Sequence, residues 1–428
     1  MRADEPHTDN SPVYHLHRYI LGWCLFDFTT SVLMANGALY FPSWIVVQNG
    51  ISSLSFNSCI IISTILALLM GPILGTLTDS AARPILALRV TTTVMFLCAF
   101  TLYLLSQFVT LSQIRSIAVL GAFTILFTSY QIGIVFYNSL LQFLRRFGDE
   151  RTVSGLGIAA NWSGAVFGIL FVLPFAQGII PLPSSPGSEA AFLVASLLFL
   201  FLSLVSFFLL PDDKAISLNR PLSGLVEKPQ GIFLSVIKNR QILWFLAGYM
   251  LFMDAILTVQ NNLAIYMTIS LELTSGSQAL MFLLLFVTAA AGGVLSTLLL
   301  RRFDPYVVLT WNFGIWIFLF PMMASVPNFS FQAICIGIAG FLFGIAMSVT
   351  RVAYVRVIPV SQAGKYFGFY NSFERSASIL GPLAWGFVTT SLSSVGQSIS
   401  LRVALGTMTL FVLLAIVALR YASPGKPT

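Results

Sequence analysis

YILGWCLFDFTTSVLMANGALYFPSWIVV, residues 19–47, carries one charged residue, Asp27, and no lysine or arginine. It exceeds the ~20 apolar residues that take a helix across a bilayer. The tail before it is acidic and polar, with Asp4, Glu5 and Asp9, unlike a cleavable signal peptide, so the stretch is expected to stay as the first membrane span. Reading outward with a ~20-residue window gives similar stretches near 56–78, 84–106, 116–141, 152–175 and 190–210. A polar segment follows, and then six more near 242–270, 277–300, 305–324, 331–352, 365–391 and 402–421. The predicted fold is an all-α membrane protein with 12 transmembrane helices.

Composition agrees. The chain has 428 residues, 57% hydrophobic and 9% charged, with mean hydropathy +0.89; soluble domains carry about 25% charged residues. A soluble enzyme, a disordered chain and a disulfide scaffold are excluded as its main description. Cys24, Cys59, Cys98 and Cys335 all fall inside apolar stretches without a CxxC pair, and read as small helix residues. The three histidines, His7, His15 and His17, precede the first span, so none can relay protons inside the membrane. No Walker loop, HExxH or GxSxG with an accessible base occurs, and neither enzyme activity, a cofactor nor a metal is expected.

The net charge of +7 does not point to nucleic acid, because the basic residues sort by side. Of the 22 lysines and arginines, only Arg115 and Arg402 fall in loops of one side, and Arg375 lies within a span. The positive-inside rule then puts both termini and the middle loop in the cytoplasm. The expected organisation is a tail (1–18), a six-helix half (19–210), a cytoplasmic linker (211–241), a second six-helix half (242–421) and a tail (422–428).

The halves look duplicated. Gly22-Trp-Cys-Leu-Phe and Asn36-Gly-Ala-Leu-Tyr40 match Gly248-Tyr-Met-Leu-Phe and Asn262-Leu-Ala-Ile-Tyr266 at an offset of 226. Gly71-Pro-Ile-Leu-Gly-Thr-Leu matches Gly292-Gly-Val-Leu-Ser-Thr-Leu at 221, and Gly155 and Gly168 match Gly368 and Gly381 at 213. Collinear matches of this kind predict two pseudo-symmetric halves, the architecture of the major facilitator superfamily.

A charge at the bilayer centre costs about 2.5–3.5 kcal/mol on insertion scales, so intramembrane charges are candidate functional groups. Here they are Asp27, Asp254, Glu374 and Arg375. Asp254, Thr258, Asn261 and Asn262 share one helical face, a stripe suited to line a polar cavity, and Gln131, Asn138 and Gln142 form a weaker one. Asn371, Glu374, Arg375 and Ser378 share a third face. The acids would take protons or a solute's cationic group, with Asp27 or Asp254 as partners for Arg375; the plain alternative is helix-packing hydrogen bonds and a static ion pair. Asp79 with Arg83, four residues on, could latch the cytoplasmic side, or form only a solvated pair. Trp23, Trp162 and Trp244 could touch solute, though a structural duty is the simpler reading.

Gly22-Trp-Cys-Leu-Phe-Asp27-Phe-Thr-Thr-Ser31, ending Tyr40-Phe-Pro42, resembles the first-helix signature of the unknown-major-facilitator family, which groups bacterial transporters with autophagy-related vacuolar amino-acid effluxers of yeast. Phe136-Tyr-Asn-Ser-Leu-Leu141 with Arg151-Thr-Val-Ser-Gly-Leu-Gly157 is similar to its span 4–5 junction, and Tyr366-Phe-Gly-Phe-Tyr-Asn371 through Ser378-Ile-Leu-Gly-Pro382 to its span 11. Thr29-Thr30 stand where that family has Ala-Asn, and Ser80-Ala-Ala-Arg83-Pro84 replaces its basic Gly-Arg-Arg-Lys loop. The resemblance implies proton-coupled movement of small solutes, with amino-acid efflux as the best-known activity.

The expectation is therefore a secondary transporter of an amino acid or similar metabolite, coupled to protons or to sodium, acting as a monomer in a bacterial inner membrane. A multidrug or organic-cation exporter, a passive pore and a transport-dead scaffold are the alternatives.

Overall fold

The computed structural model describes residues 12–81, 83–107, 113–144, 150–182, 184–213, 239–358, 366, 370, 373–374 and 376–422. These form α1 (Pro12–Pro42), α2 (Ser53–Ala81), α3 (Pro84–Ser106), α4 (Gln113–Leu144), α5 (Glu150–Ala176), α6 (Ser188–Leu209), α7 (Arg240–Ile269), α8 (Ser275–Leu299), α9 (Pro305–Ser325), α10 (Phe329–Val355), α11 (Leu380–Ser391) and α12 (Gln397–Ala422). Eleven are long and apolar enough to span a bilayer. α11 is too short, because the stretch expected as one span over 365–391 is interrupted: Ala377, Ser378 and Ile379 are not helical.

Polar residues at the seams start the helices. Asn239 accepts from the Gln241 and Ile242 amides at 3.1 and 3.3 Å to cap α7. Asp304 accepts from Tyr306 N–H at 2.8 Å just before Pro305, and Asn328 accepts from Phe331 N–H at 3.2 Å to cap α10. Each satisfies a helix-end donor that lipid could not. α3 lacks such a cap of its own; Asp213, beyond the end of α6, accepts from Ile85 and Leu86 N–H at 2.8 and 3.1 Å. Asp213, at the edge of the expected linker, therefore ties α6 to α3. α1 starts ahead of residue 19, and at Pro42 it widens into a π-helical turn, Ser43–Gln48. Proline lacks the N–H and its ring displaces the carbonyl four residues back, which is where a helix ladder gives way.

The most apolar windows of α1, α7 and α10 are 67%, 61% and 61% buried, against 33% for α3, α5 and α6. The first three are central and the others face lipid, where exposed Phe201 and Phe208 of α6 are at home.

One packing pattern occurs twice. α1 lies against α5 and α6, and α7 against α11 and α12. Gly22 lets α1 approach Leu209 and Leu210, and Gly248 lets α7 approach Ala415 and Leu419. Gly164 of α5 sits under the Phe28 carbonyl, and Gly381 of α11 against the Asp254 carbonyl; a methyl at either would run into backbone.

Arg18 donates to the Phe208 carbonyl, and Gln241 to the Ala422 carbonyl at 2.9 Å, so α1 and α7 start beside the ends of α6 and α12. This side is termed the near face. At the opposite, far face, helices from the first six and the last six meet. Ser43 and Thr268 hydroxyls are 2.9 Å apart, and Gln278 donates to Thr268 at 2.9 Å. Asn57 and Asn262 exchange amide hydrogen bonds at 3.0 Å each way, and Leu54 packs on Gly386.

Candidate functional site

Asp27 lies midway along α1 and is partly exposed. Its Oδ1 accepts from Asn161 Nδ2 of α5 at 3.0 Å. Tyr137 of α4 turns its hydroxyl toward the same carboxylate without reaching hydrogen-bond geometry. The Tyr137 ring is fixed by Trp23, stacked at 4.4 Å, whose indole N–H donates to the Tyr137 carbonyl at 3.1 Å. Trp23 is thus structural, as is exposed Trp244, tilted against Tyr421. Thr30 turns its hydroxyl back to the Phe26 and Asp27 carbonyls of its own helix, a bond that an asparagine there would not form in the same way.

Asp254 has a different environment, although the 226-residue offset brings it within one position of Asp27. It is fully buried, and its Oδ2 accepts from Gly381 N–H at 2.9 Å, with the Ile379 and Leu380 amides also directed at it. It caps the start of α11 from a neighbouring helix. Pro382 could not continue a helix from the preceding turn, and the amides freed by the break are met by this carboxylate. Gly381 is required there because Thr258 and Asp254 fill the space a side chain would occupy.

The stripe on α7 is mostly used for packing. Thr258 and Asn262 are fully buried, Asn262 in its pair with Asn57; Asn261 alone of that stripe is partly exposed. A polar stripe satisfies a neighbouring helix as readily as a cavity, and spacing cannot separate the two. On α4, Gln131 is buried with its Nε2 at 3.3 Å from Thr64, while Asn138 is exposed. The side chains of Gln142 and Asp79, and all of Asn371 and Arg375, lie outside the described residues; Arg83, expected opposite Asp79, is exposed.

Glu374 is partly exposed, and its charge acts on Tyr249 and Tyr370. Those rings stack at 4.4 Å, and Tyr370 OH lies 3.0 Å from Thr350 Oγ1. The neighbour of Thr350 is Arg351, whose charge acts on Tyr249, on Tyr370 and, across to α1, on Asp27. Arg351 falls at the end of the expected span 331–352, and α10 continues to Val355 and keeps it in the helix. Asn161, Tyr137, Arg351 and Asn57 were all missed; the signal in reach was the Thr350–Tyr354 spacing, which carries the helix past Arg351.

Beside Asn161, Trp162 meets Phe286 at 5.7 Å and Phe343 edge-on at 5.9 Å. These rings, with Gln260 and Trp316, line an apolar cavity of about 40 Å³, and the Trp316 indole N–H has no hydrogen-bond partner among the described residues. Among the described residues no cluster of His, Cys, Asp and Glu could hold a metal.

The profile of the Major Facilitator Superfamily matches residues 154–382, more than half of the chain. The MFS-type transporter YxiO of Bacillus subtilis is 23% identical over 393 residues, covering 84% of this chain and 86% of that one. Autophagy-related protein 22 of Vanderwaltozyma polyspora is 24% identical over 178 residues, 39% of this chain and 34% of that protein. A crystal structure of the nucleoside transporter NupG aligns with 95% of this chain and 99% of its own at a TM-score of 0.73 and 14% identity, a likeness of fold.

Proposed function

Because this chain belongs to the major facilitator superfamily, a family of transporters rather than enzymes, we propose that it is a secondary active transporter that moves an amino acid or similar small metabolite by alternating access. It is a multi-pass integral membrane protein. Two six-helix halves, 19–210 and 242–421, rock about a midplane site; the doubled Gly22/Gly248 packing supports this division. The near face is cytoplasmic by the placement of lysine and arginine, in a bacterial inner membrane.

The observation that carries the reading is one-sided closure. Helices of the two sets are hydrogen-bonded at the far face through Asn57–Asn262 and Ser43–Thr268, while Asp27, Glu374 and Arg351 remain partly exposed deeper in. That arrangement corresponds to a state closed outward. Asp27 and Glu374 are the carboxylates that exchange protons or hold a cationic group, Asp254 positions the break before α11, and Asn261 and Gln131 bond the solute. Asp79 and Arg83 close the cytoplasmic side in the opposite state. The aromatic cavity at Trp162 favours a second reading, an organic-cation exporter, in which Asp27 holds the cation beside the rings.

In proteoliposomes with an imposed pH gradient and an internal pH dye, solutes from a panel of amino acids, peptides and organic cations are added singly. A solute-dependent proton flux that disappears in Asp27→Asn is expected. Transport equal in Asp27→Asn and wild type would remove Asp27 from the mechanism, and no flux with any solute would overturn proton-coupled transport.

A further inference from the structure

We propose that the groove between α9 and α12 at the far face holds one anionic phospholipid, with its phosphate on Arg402 and an acyl chain along Gly406. The proposal concerns the outer surface of the helix set and is independent of which solute crosses the protein.

The groove has a volume of about 660 Å³, within the roughly 300–1,000 Å³ of pockets that hold small ligands. Both of its helices are long and apolar enough to span a bilayer, and they pack chiefly on each other and on helices of the last six. Exposed Ile399, Val403 and Leu410 line its sides, so it opens toward lipid.

The two helices fix its depth. α9 ends at Ser325, and α12 starts at Gln397 beside the end of α7, where Ser270 donates to the Ser398 carbonyl at 3.4 Å. Arg402 therefore lies in the second turn of α12, close to the far membrane surface. Gly406 and Leu410 follow on the same face, the latter ~12 Å deeper at the helical rise. Gly406 opens the trough: nothing lies within 4 Å of a carbon added there, and Pro321 and Ala324 line it from α9. A charged end at the surface above an apolar trough has the polarity of a phospholipid standing in its leaflet. A free phosphate would make no use of the trough.

Arg402 is half-buried and has donors to spare. Its Nε and Nη2 donate to the Ala324 and Ser325 carbonyls, which closes the end of α9. A guanidinium has more N–H donors than these two bonds use. No carboxylate pairs with it among the described residues, where Arg356 meets Asp304 instead. The carbonyls at the end of α9 favour a cation but leave its net charge in place. A neutral donor would also close the helix end, so the charge points to a further partner. Basic residues are scarce on this side, Arg115 being the other one that the sequence places there. The free edge of the guanidinium matches a phosphate through two parallel hydrogen bonds.

For the test, the full chain in detergent is given phosphatidylglycerol or phosphatidylcholine with the same acyl chains, and bound lipid is counted by native mass spectrometry. Wild type is expected to hold one phosphatidylglycerol about 5-fold more tightly than phosphatidylcholine, the order expected of one arginine at a lipid surface. In Arg402→Gln that preference should vanish. Gly406→Leu keeps Arg402 and its bonds to α9 but fills the trough, and should lose the bound lipid. Leucine is a better helix former than glycine, so this variant decides the matter even where Arg402→Gln folds poorly. Equal binding of the two lipids by wild type overturns the proposal. A preference unchanged in Arg402→Gln removes the phosphate from Arg402, and one unchanged in Gly406→Leu removes the chain from the groove; either result overturns it. Inorganic phosphate that competes as well as the lipid makes this a site for a free anion and overturns it. A dimer present in wild type and absent in Gly406→Leu assigns the groove to a second copy of the chain, and overturns it too.

Discussion

At Asp27 one carboxylate oxygen is held by Asn161 and the side chain stays partly open, whereas Asp254 is closed over by the start of α11. Their roles should therefore separate under mutation. Asp254→Asn keeps an acceptor for Gly381 N–H and should fold nearly as well as wild type. Asp254→Ala leaves that buried donor unpaired, a loss of about 1–3 kcal/mol, and should lower the thermal midpoint in detergent. Equal midpoints for the two variants would show that the cap contributes nothing. Asp27→Asn, by contrast, should leave the midpoint near wild type and abolish the solute-driven flux.

Individual helices are set by close approach rather than by side-chain polarity. α8 and α10 touch through Gly292, Gly340 and Gly344, and a methyl at Gly344 would meet the Ala289 carbonyl. Gly344→Val should force the helices apart and destabilise by about 1–3 kcal/mol, read from resistance to unfolding in mixed micelles. Gly37 is the control, since nothing lies within 4 Å of the added carbon. Gly37→Ala should be neutral or gain about 0.5–1 kcal/mol, because glycine inside a helix is entropically unfavourable. A Gly344→Val protein as stable as Gly37→Ala would mean that α8 and α10 are not packed as closely as described. The same scale explains span 11: Pro382 removes a ladder bond at the start of α11 and Asp254 caps the amides there, so an apolar run that looks continuous is broken at Ala377–Ile379.

For the whole molecule, the proposed alternating access makes the contacts at the far face a lock on one state. Asn57→Ala or Asn262→Ala leaves the other amide buried without its partner, at about 1–3 kcal/mol. That should shift the population toward the far-open state about 5- to 150-fold. Spin labels on exposed Ser52 and Ser275, at the far-face ends of α2 and α8, should report a longer distance in either variant. The double variant should shift less than the sum of the singles, because no orphaned amide remains. Unchanged distances in both singles would remove the amide pair from the gate.

The sequence by itself determined that this chain spans a membrane as many helices, where most of those helices lie, and which family it joins. Those facts rest on hydropathy, charge placement and glycine spacing, which are local and additive along the chain. Asp27 stood out as a candidate in the sequence, because a lone acid in an apolar helix is conspicuous by its cost. The tertiary structure alone decided the duties of the polar groups. Whether Asp254, Thr258 and Asn262 line a cavity or serve a neighbouring helix depends on which helix lies against that face, and spacing carries no such information. Arg351 was hidden for a related reason: a basic residue near a helix end looks like a loop charge until the helix is seen to continue past it. A hydrogen bond or an ion pair is satisfied by position in space, and position in space is what the packing of the helices supplies.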